Sequence, residues 1–158
     1  LTYTPGNSEG WQVEAGNVGR HYFEWRYGEP ATMEVTIFLV AIGDDGQSGE
    51  EIGCDDSLVG ITREIPTTGD PIQGALEALL AIPGPNFGES GLSTALHYIA
   101  YDRIARDMEM SGDISIGGVC DAPRIEHQLE RTVLQFPDVD QVQIFINGEA
   151  LADILSVQ

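Results

Sequence analysis

Six carboxylates crowd one Gly-rich stretch of the chain: Asp44, Asp45, Glu50, Glu51, Asp55 and Asp56. Hard oxygen ligands at that density are what a calcium ion seeks. The spacing is not that of an Asp-x-Asp-x-Asp-Gly loop closed by Glu, because Gly46 follows Asp45 directly. The expectation is a solvated acidic loop without metal, Asp44, Asp45, Asp55 and Asp56 being the residues that would supply a site. The three histidines, His21, His97 and His127, form no His-x-x-x-His pair and adjoin no recognisable nucleophile. Gly88-Glu89-Ser90-Gly91 only approximates Gly-x-Ser-x-Gly and lacks the strand–turn–helix setting that exposes a nucleophilic serine. A chain without lysine holds no Gly-Lys-Ser/Thr phosphate loop. No catalytic residue and no cofactor are therefore expected. Cys54 and Cys120 belong to no Cys-x-x-Cys pair, which leaves no zinc set; they read equally as one bridge or as two buried thiols.

The charge balance restricts partners further. The formal net charge is −19, and all seven basic side chains are arginines: Arg20, Arg26, Arg63, Arg103, Arg106, Arg124 and Arg131. So negative a surface repels phosphate backbones and anionic lipid, so neither nucleic acid nor a membrane surface is an expected partner. A cation or a basic protein is the more compatible one. The longest apolar run, residues 37–42, is strand-sized, so no membrane span is expected. Leu1 opens a polar segment rather than a signal peptide, so an exported protein would be represented here by its mature chain.

The elements that must position these residues follow from periodicity. Residues 1–19 read as loop, interrupted by Pro5, Gly6, Gly10, Gly16 and Gly19. Residues 20–27 alternate, with Phe23, Trp25 and Tyr27 on one face of a strand and Tyr22 on the other. A β-branched strand follows over 34–42, then the acidic loop over 43–57 and a short strand over 59–64. Asp70-Pro71 starts a helix with Asp70 as N-cap and Gln73 closing a capping box; Ile72, Ala75, Leu76, Leu79 and Leu80 form its apolar stripe. Residues 97–111 read as a hairpin turning near Ala105-Arg106-Asp107 or as helix through Arg103. Asp121 caps a second helix with Ile125, Leu129, Val133 and Phe136 in its stripe. A last strand carries Val142, Ile144 and Ile146 into an Asn147-Gly148 turn, and residues 150–155 form a short helical tail. The expected fold is α+β, a mixed β-sheet with two helices packed on one face, in the order β-β-β-α-β-β-α-β.

Three blocks of sequence carry a family resemblance: Gly53-Cys54-Asp55-Asp56-Ser57-Leu58-Val59, the Ala75-Leu76-x-x-Leu79-Leu80 helix, and Cys120-Asp121-x-Pro123-Arg124 leading to Val142-x-Ile144-x-Ile146-Asn147-Gly148. Together they resemble the GerMN domain, the sporulation and spore-germination module, in its secreted bacterial form. The resemblance covers most of the chain and implies an N-terminal aromatic-rich extension over 1–30 and a GerMN-like domain over 31–158. It also implies a Cys54–Cys120 disulfide, an oxidising compartment (extracellular or cell envelope) and a non-enzymatic role in protein–protein contact. Under that pairing Arg124 is expected to meet Asp121 or the acidic loop at Asp55-Asp56, an exposed arginine being the alternative. Its implied partner is another protein or further copies of this chain as a homo-oligomer. Tyr22, Phe23, Trp25 and Tyr27 are the expected interaction residues, folding back on the domain or exchanged between copies. Two other functions are compatible with the residues: a structural subunit of an extracellular homopolymer that exchanges its N-terminal strand, and a calcium-dependent binding domain built on the acidic loop.

Overall fold

The computed structural model describes residues 2–5, 11–14, 20–23, 31–67, 69–82 and 96–156. The chain divides into two compact units, Leu1–Ala31 and Thr32–Gln158. In the first, β1 (Thr2–Pro5), β2 (Trp11–Glu14) and β3 (Arg20–Phe23) run antiparallel in the order β1-β2-β3. Residues 1–19, expected as loop, thus contain two strands, each carrying aromatic or β-branched residues (Thr2, Tyr3 and Thr4; Trp11 and Val13) that favour extended backbone. β3 covers the first half of the strand expected over 20–27, and residues 24–30 lie outside the described ones.

The second unit is α+β, with the order β-β-β-α-β-β-α-β followed by a minimal strand and a short helix. Its strands divide between two sheets. In the first, β4 (Thr32–Ala41) pairs antiparallel with β6 (Asp56–Pro66) along its whole length, from Thr32 opposite Pro66 to Ala41 opposite Ser57. β5 (Glu50–Gly53) lies on the far side of β6. β5 and the first residues of β6 fall where an acidic loop was expected. The turn between them is two residues long, Cys54-Asp55, both with positive φ (55° and 58°), the backbone a tight hairpin requires. Ile52 is the one apolar residue of β5, and it packs with Val40, Leu58 and Phe38 in a small cluster of its own. A single apolar residue among carboxylates leaves no alternation for sequence reading to detect.

Helix α1 (Pro71–Leu80) begins as its sequence dictates: the Asp70 carboxylate accepts from Ile72 N–H at 3.0 Å and Pro71 takes the first turn. The capping box does not close, because the Gln73 amide donates to Glu77 at 2.7 Å instead of reaching back. The other Asp70 oxygen accepts from Tyr98 O–H at 2.6 Å, fastening the cap to β7 (Leu96–Asp102). Residues 97–111 resolve as the hairpin, β7 with β8 (Asp107–Gly112), turning over residues 103–106. From β8 the chain crosses through α2 (Asp121–Leu134) to β9 (Gln143–Ile146), which lies parallel to β8, and the second sheet has the order β10-β9-β8-β7. Asn147 and Gly148, with φ of 54° and 83°, turn β9 into β10 (Glu149–Ala150), and α3 (Leu151–Ser156) ends the described chain. The Asn147 side chain donates to Gly112 O at 2.8 Å and accepts from Gly112 N–H at 3.1 Å, extending the β8–β9 ladder. One core joins Val35, Ile37 and Leu39 of the first sheet to Met108, Met110, Ile144 and Ile146 of the second through both helices.

α2 has a second, polar stripe. Gln128, Thr132 and Gln135 recur at helical spacing and face the outer edge of β4. Gln135 accepts from Thr36 N–H at 2.6 Å and donates to Thr36 O at 2.7 Å; Thr132 Oγ1 accepts from Phe38 N–H at 3.3 Å; Gln128 donates to Phe38 O at 3.2 Å. The helix side chains stand in for a neighbouring strand and cover the edge. The Gln128 Oε1 is buried with no hydrogen-bond partner among the described residues. Gln135→Met removes the partners of both Thr36 backbone groups and is expected to cost about 2–3 kcal/mol, whereas Gln128→Met removes one bond together with an unpaired acceptor and should change stability by less than about 1 kcal/mol. Urea unfolding measures both; equal losses would show that the Thr36 pairing contributes nothing special.

Candidate functional site

Of the residues singled out from sequence, Cys54, Asp56, Cys120, Asp121 and Arg124 converge where the β5–β6 turn meets the start of α2. Cys54 and Cys120 form a disulfide with Cα atoms 5.8 Å apart, across a sequence separation of 66. One turn into α2, Arg124 Nε donates to Asp56 Oδ2 at 2.6 Å and Nη1 to Asp121 Oδ1 at 3.2 Å. The cluster is dry: the side chains of Arg124, Asp56 and Asp121 are 11%, 0% and 8% exposed. The other oxygens are also taken, Asp56 Oδ1 by Gly43 N–H at 2.9 Å and Asp121 Oδ2 by Gly117 N–H at 2.6 Å. Of the two possibilities for Arg124, the paired one holds, and both expected carboxylates take part. Asp121 is not the N-cap that its sequence position suggests. Cys120 occupies that place without a side-chain cap bond, and Asp121 is the first helical residue, its carboxylate turned back to the preceding loop and to Arg124.

Burial pushes the Asp56 carboxyl up, but the Arg124 hydrogen bond, the Gly43 N–H and the Arg124 charge together reverse this and hold it below the ordinary aspartate value. Asp44 is lowered as well, chiefly by the Ser57 hydroxyl, which donates to it at 2.7 Å, with Ser48 donating through both its N–H and its hydroxyl. The carboxylates named for a metal site are differently engaged: Asp44 and Asp56 accept from internal donors, while Asp45 and Asp55 are exposed at positive φ, joined through the Asp45 N–H, which donates to Asp55 O at 2.8 Å. Among the described residues no three His, Cys, Asp or Glu side chains gather as a metal site would require.

The expected interaction residues lie in the first unit. Tyr22 and Phe23 are on β3, opposite Gln12 and Trp11 of β2, and Trp25 and Tyr27 lie outside the described residues. His21 is on β3, His97 on β7 and His127 on α2, three separate elements. Sequence reading missed Gln128, Thr132 and Gln135, whose i, i+4, i+7 spacing was a usable signal: three polar residues in a row beside an apolar stripe.

Alkylation without reductant should add no groups to the intact mass, and the Cys54→Ala/Cys120→Ala protein should lose about 2–4 kcal/mol; two added alkyl groups would exclude the bridge in the isolated protein. Arg124→Met strands the buried Asp56 and should cost about 3–5 kcal/mol at neutral pH. In the parent, a lowered folded value means that the Asp56 contribution is complete above about pH 4 and is lost as pH falls through that lowered value. In the variant burial is opposed only by the Gly43 N–H, so Asp56 takes up a proton more readily and the deficit shrinks on acidification. A deficit that is constant with pH in denaturation measurements would contradict this account.

No family model, no curated protein and no solved structure matches the chain.

Proposed function

We propose that this protein is an exported, non-enzymatic interaction module of the GerMN type, acting by protein–protein contact at the cell envelope or outside the cell. The observation that carries this reading is the meeting of the two cysteine-bearing blocks of the resemblance, residues 53–59 and 120–124, through the Cys54–Cys120 bridge and the buried Asp56–Arg124 pair. A disulfide persists in oxidising compartments, which supports export. No helix among the described residues is long and apolar enough to cross a membrane.

The ionisable groups with shifted pKa also support a scaffold, because each is engaged by a fixed partner. Asp56 holds Arg124, Asp138 holds Arg103, Asp44 holds the Ser48 and Ser57 hydroxyls, Asp102 holds two backbone amides, and burial plus the Asp70 carboxylate push the Tyr98 phenol up. Such groups stabilise loops and caps; a catalytic acid or base needs instead to face a substrate.

Incubated with peptidoglycan or a glycoside substrate, the purified protein should release no soluble fragments, and fractionation of the native cells should place it in the envelope or the medium with its bridge intact. Hydrolysis that disappears on changing one carboxylate would overturn the non-enzymatic reading, and recovery in the cytoplasm would overturn export.

A further inference from the structure

Two adjoining cavities of about 190 and 540 Å³ share Glu130, Val142 and Gln143 and together form a groove between α2, β9 and the tip of the β7–β8 hairpin. Its lining is mixed: Val142, Ile144 and Leu134 are apolar, the Arg106–Asp140 ion pair stands at the hairpin end, and Glu126 and Glu130 line it from α2. Resting on the interaction-module reading above, we propose that this groove docks a cationic, partly apolar peptide segment of a partner protein.

Glu126 and Glu130 are i, i+4 neighbours on one helix face, a like-charge pair that destabilises its own helix. Among the described residues neither has an ion-pair partner, because the nearby cations are committed elsewhere: Arg103 to Asp138, Arg106 to Asp140, Arg124 to Asp56 and Arg131 to Glu50. A cation on a docked segment relieves the repulsion that the fold leaves in place. The net charge of −19 draws such a segment in from solution and opposes a second copy of the same chain.

Ile104 lines the groove at the hairpin tip and is 96% exposed. The turn that carries it is fastened from both sides. The Asp102 carboxylate accepts from Ile104 N–H at 2.7 Å and Ala105 N–H at 3.0 Å. Arg106 O accepts from Gln143 N–H at 2.8 Å, Arg106 pairs with Asp140 at 3.1 Å, Tyr101 O–H donates to Gln141 O at 2.9 Å, and Arg103 donates to Asp138 at 2.6 Å. A large aliphatic side chain is thus presented to water by a turn already ordered in the fold, so little conformational entropy is lost there when a partner covers it.

The test uses the full chain and labelled short peptides that alternate Arg with Leu, Glu with Leu, or Arg with Gly, read by fluorescence anisotropy and by amide chemical shifts. The Arg/Leu peptide should bind, with shifts on α2, β9 and the hairpin tip, and the other two should bind at least about tenfold more weakly. Glu126→Gln/Glu130→Gln should weaken binding at least about tenfold and Ile104→Ser about fivefold, while the charge-matched control Glu34→Gln/Glu64→Gln stays within about twofold. Equal loss in the control would reduce the effect to general charge attraction and overturn the site. Shifts elsewhere, or no binding of the Arg/Leu peptide, would also overturn it and leave the interaction-module reading standing, since that reading falls instead with hydrolytic activity. Concentration-dependent dimers in sedimentation that vanish in Ile104→Ser would make a second copy the occupant and overturn the proposed partner class.

Discussion

The outer edge of β4 carries backbone N–H and C=O groups at Thr36 and Phe38 that no strand pairs, and α2 answers them with side chains. Much else depends on this, because a buried edge without partners costs the full desolvation of each group. To serve the edge, α2 must lie beside β4 with Gln128, Thr132 and Gln135 aimed at it, while Ile125, Leu129 and Val133, fully buried, fill the core on the adjoining face. A rotation of the helix that improved one face would lose the other. The crossover from β8 to β9 passes through this helix, so its position also fixes where the second sheet packs against the first.

The N-terminal end of the helix is held by two interactions of different kind. The Cys54–Cys120 bridge acts largely on the unfolded chain by removing loop freedom, and its contribution is insensitive to small shifts of polar geometry. The Asp56–Arg124 pair acts on the folded state. Its net benefit is modest after desolvation, yet its rupture is severe, because the remaining charge has no water. Together they make the register of α2 against the β5–β6 turn both difficult to lose and specific. At the other end Arg131 reaches Glu50 at 2.7 Å and lies 5.8 Å from the Phe38 ring, an exposed pair that adds orientation more than energy.

Acidic residues serve two purposes in this fold. Asp44, Asp56, Asp70, Asp102 and Asp121 hold backbone amides, hydroxyls or Arg124 and shape turns and helix starts. The glutamates of β5 instead charge an edge strand, Glu50 and Glu51 being exposed where another chain could pair. The high negative charge is therefore in part structural, and the surplus that faces solvent sets which partners can approach.

Much was legible in the residues alone. Asp70-Pro71 dictates a helix start, the apolar stripes of α1 and α2 name their buried faces, and Asn147-Gly148 dictates a turn, because each signal is local and lies within a few residues. The Cys54–Cys120 pairing came from family resemblance and is present. Local pattern could not reveal β5, with one apolar residue among carboxylates, nor the choice of hairpin over helix at 97–111, which pairing with β8 settles. It could not assign Asp121 to the loop rather than the cap, or Gln135 to Thr36, 99 positions away. Those are decisions between groups that meet only after the chain has folded. Sequence by itself determined the two main helices, their core faces, the central and last strands and the sign of the charge; tertiary structure alone decided which polar groups complete one another, because hydrogen bonds and ion pairs depend on distances that spacing along the chain does not specify.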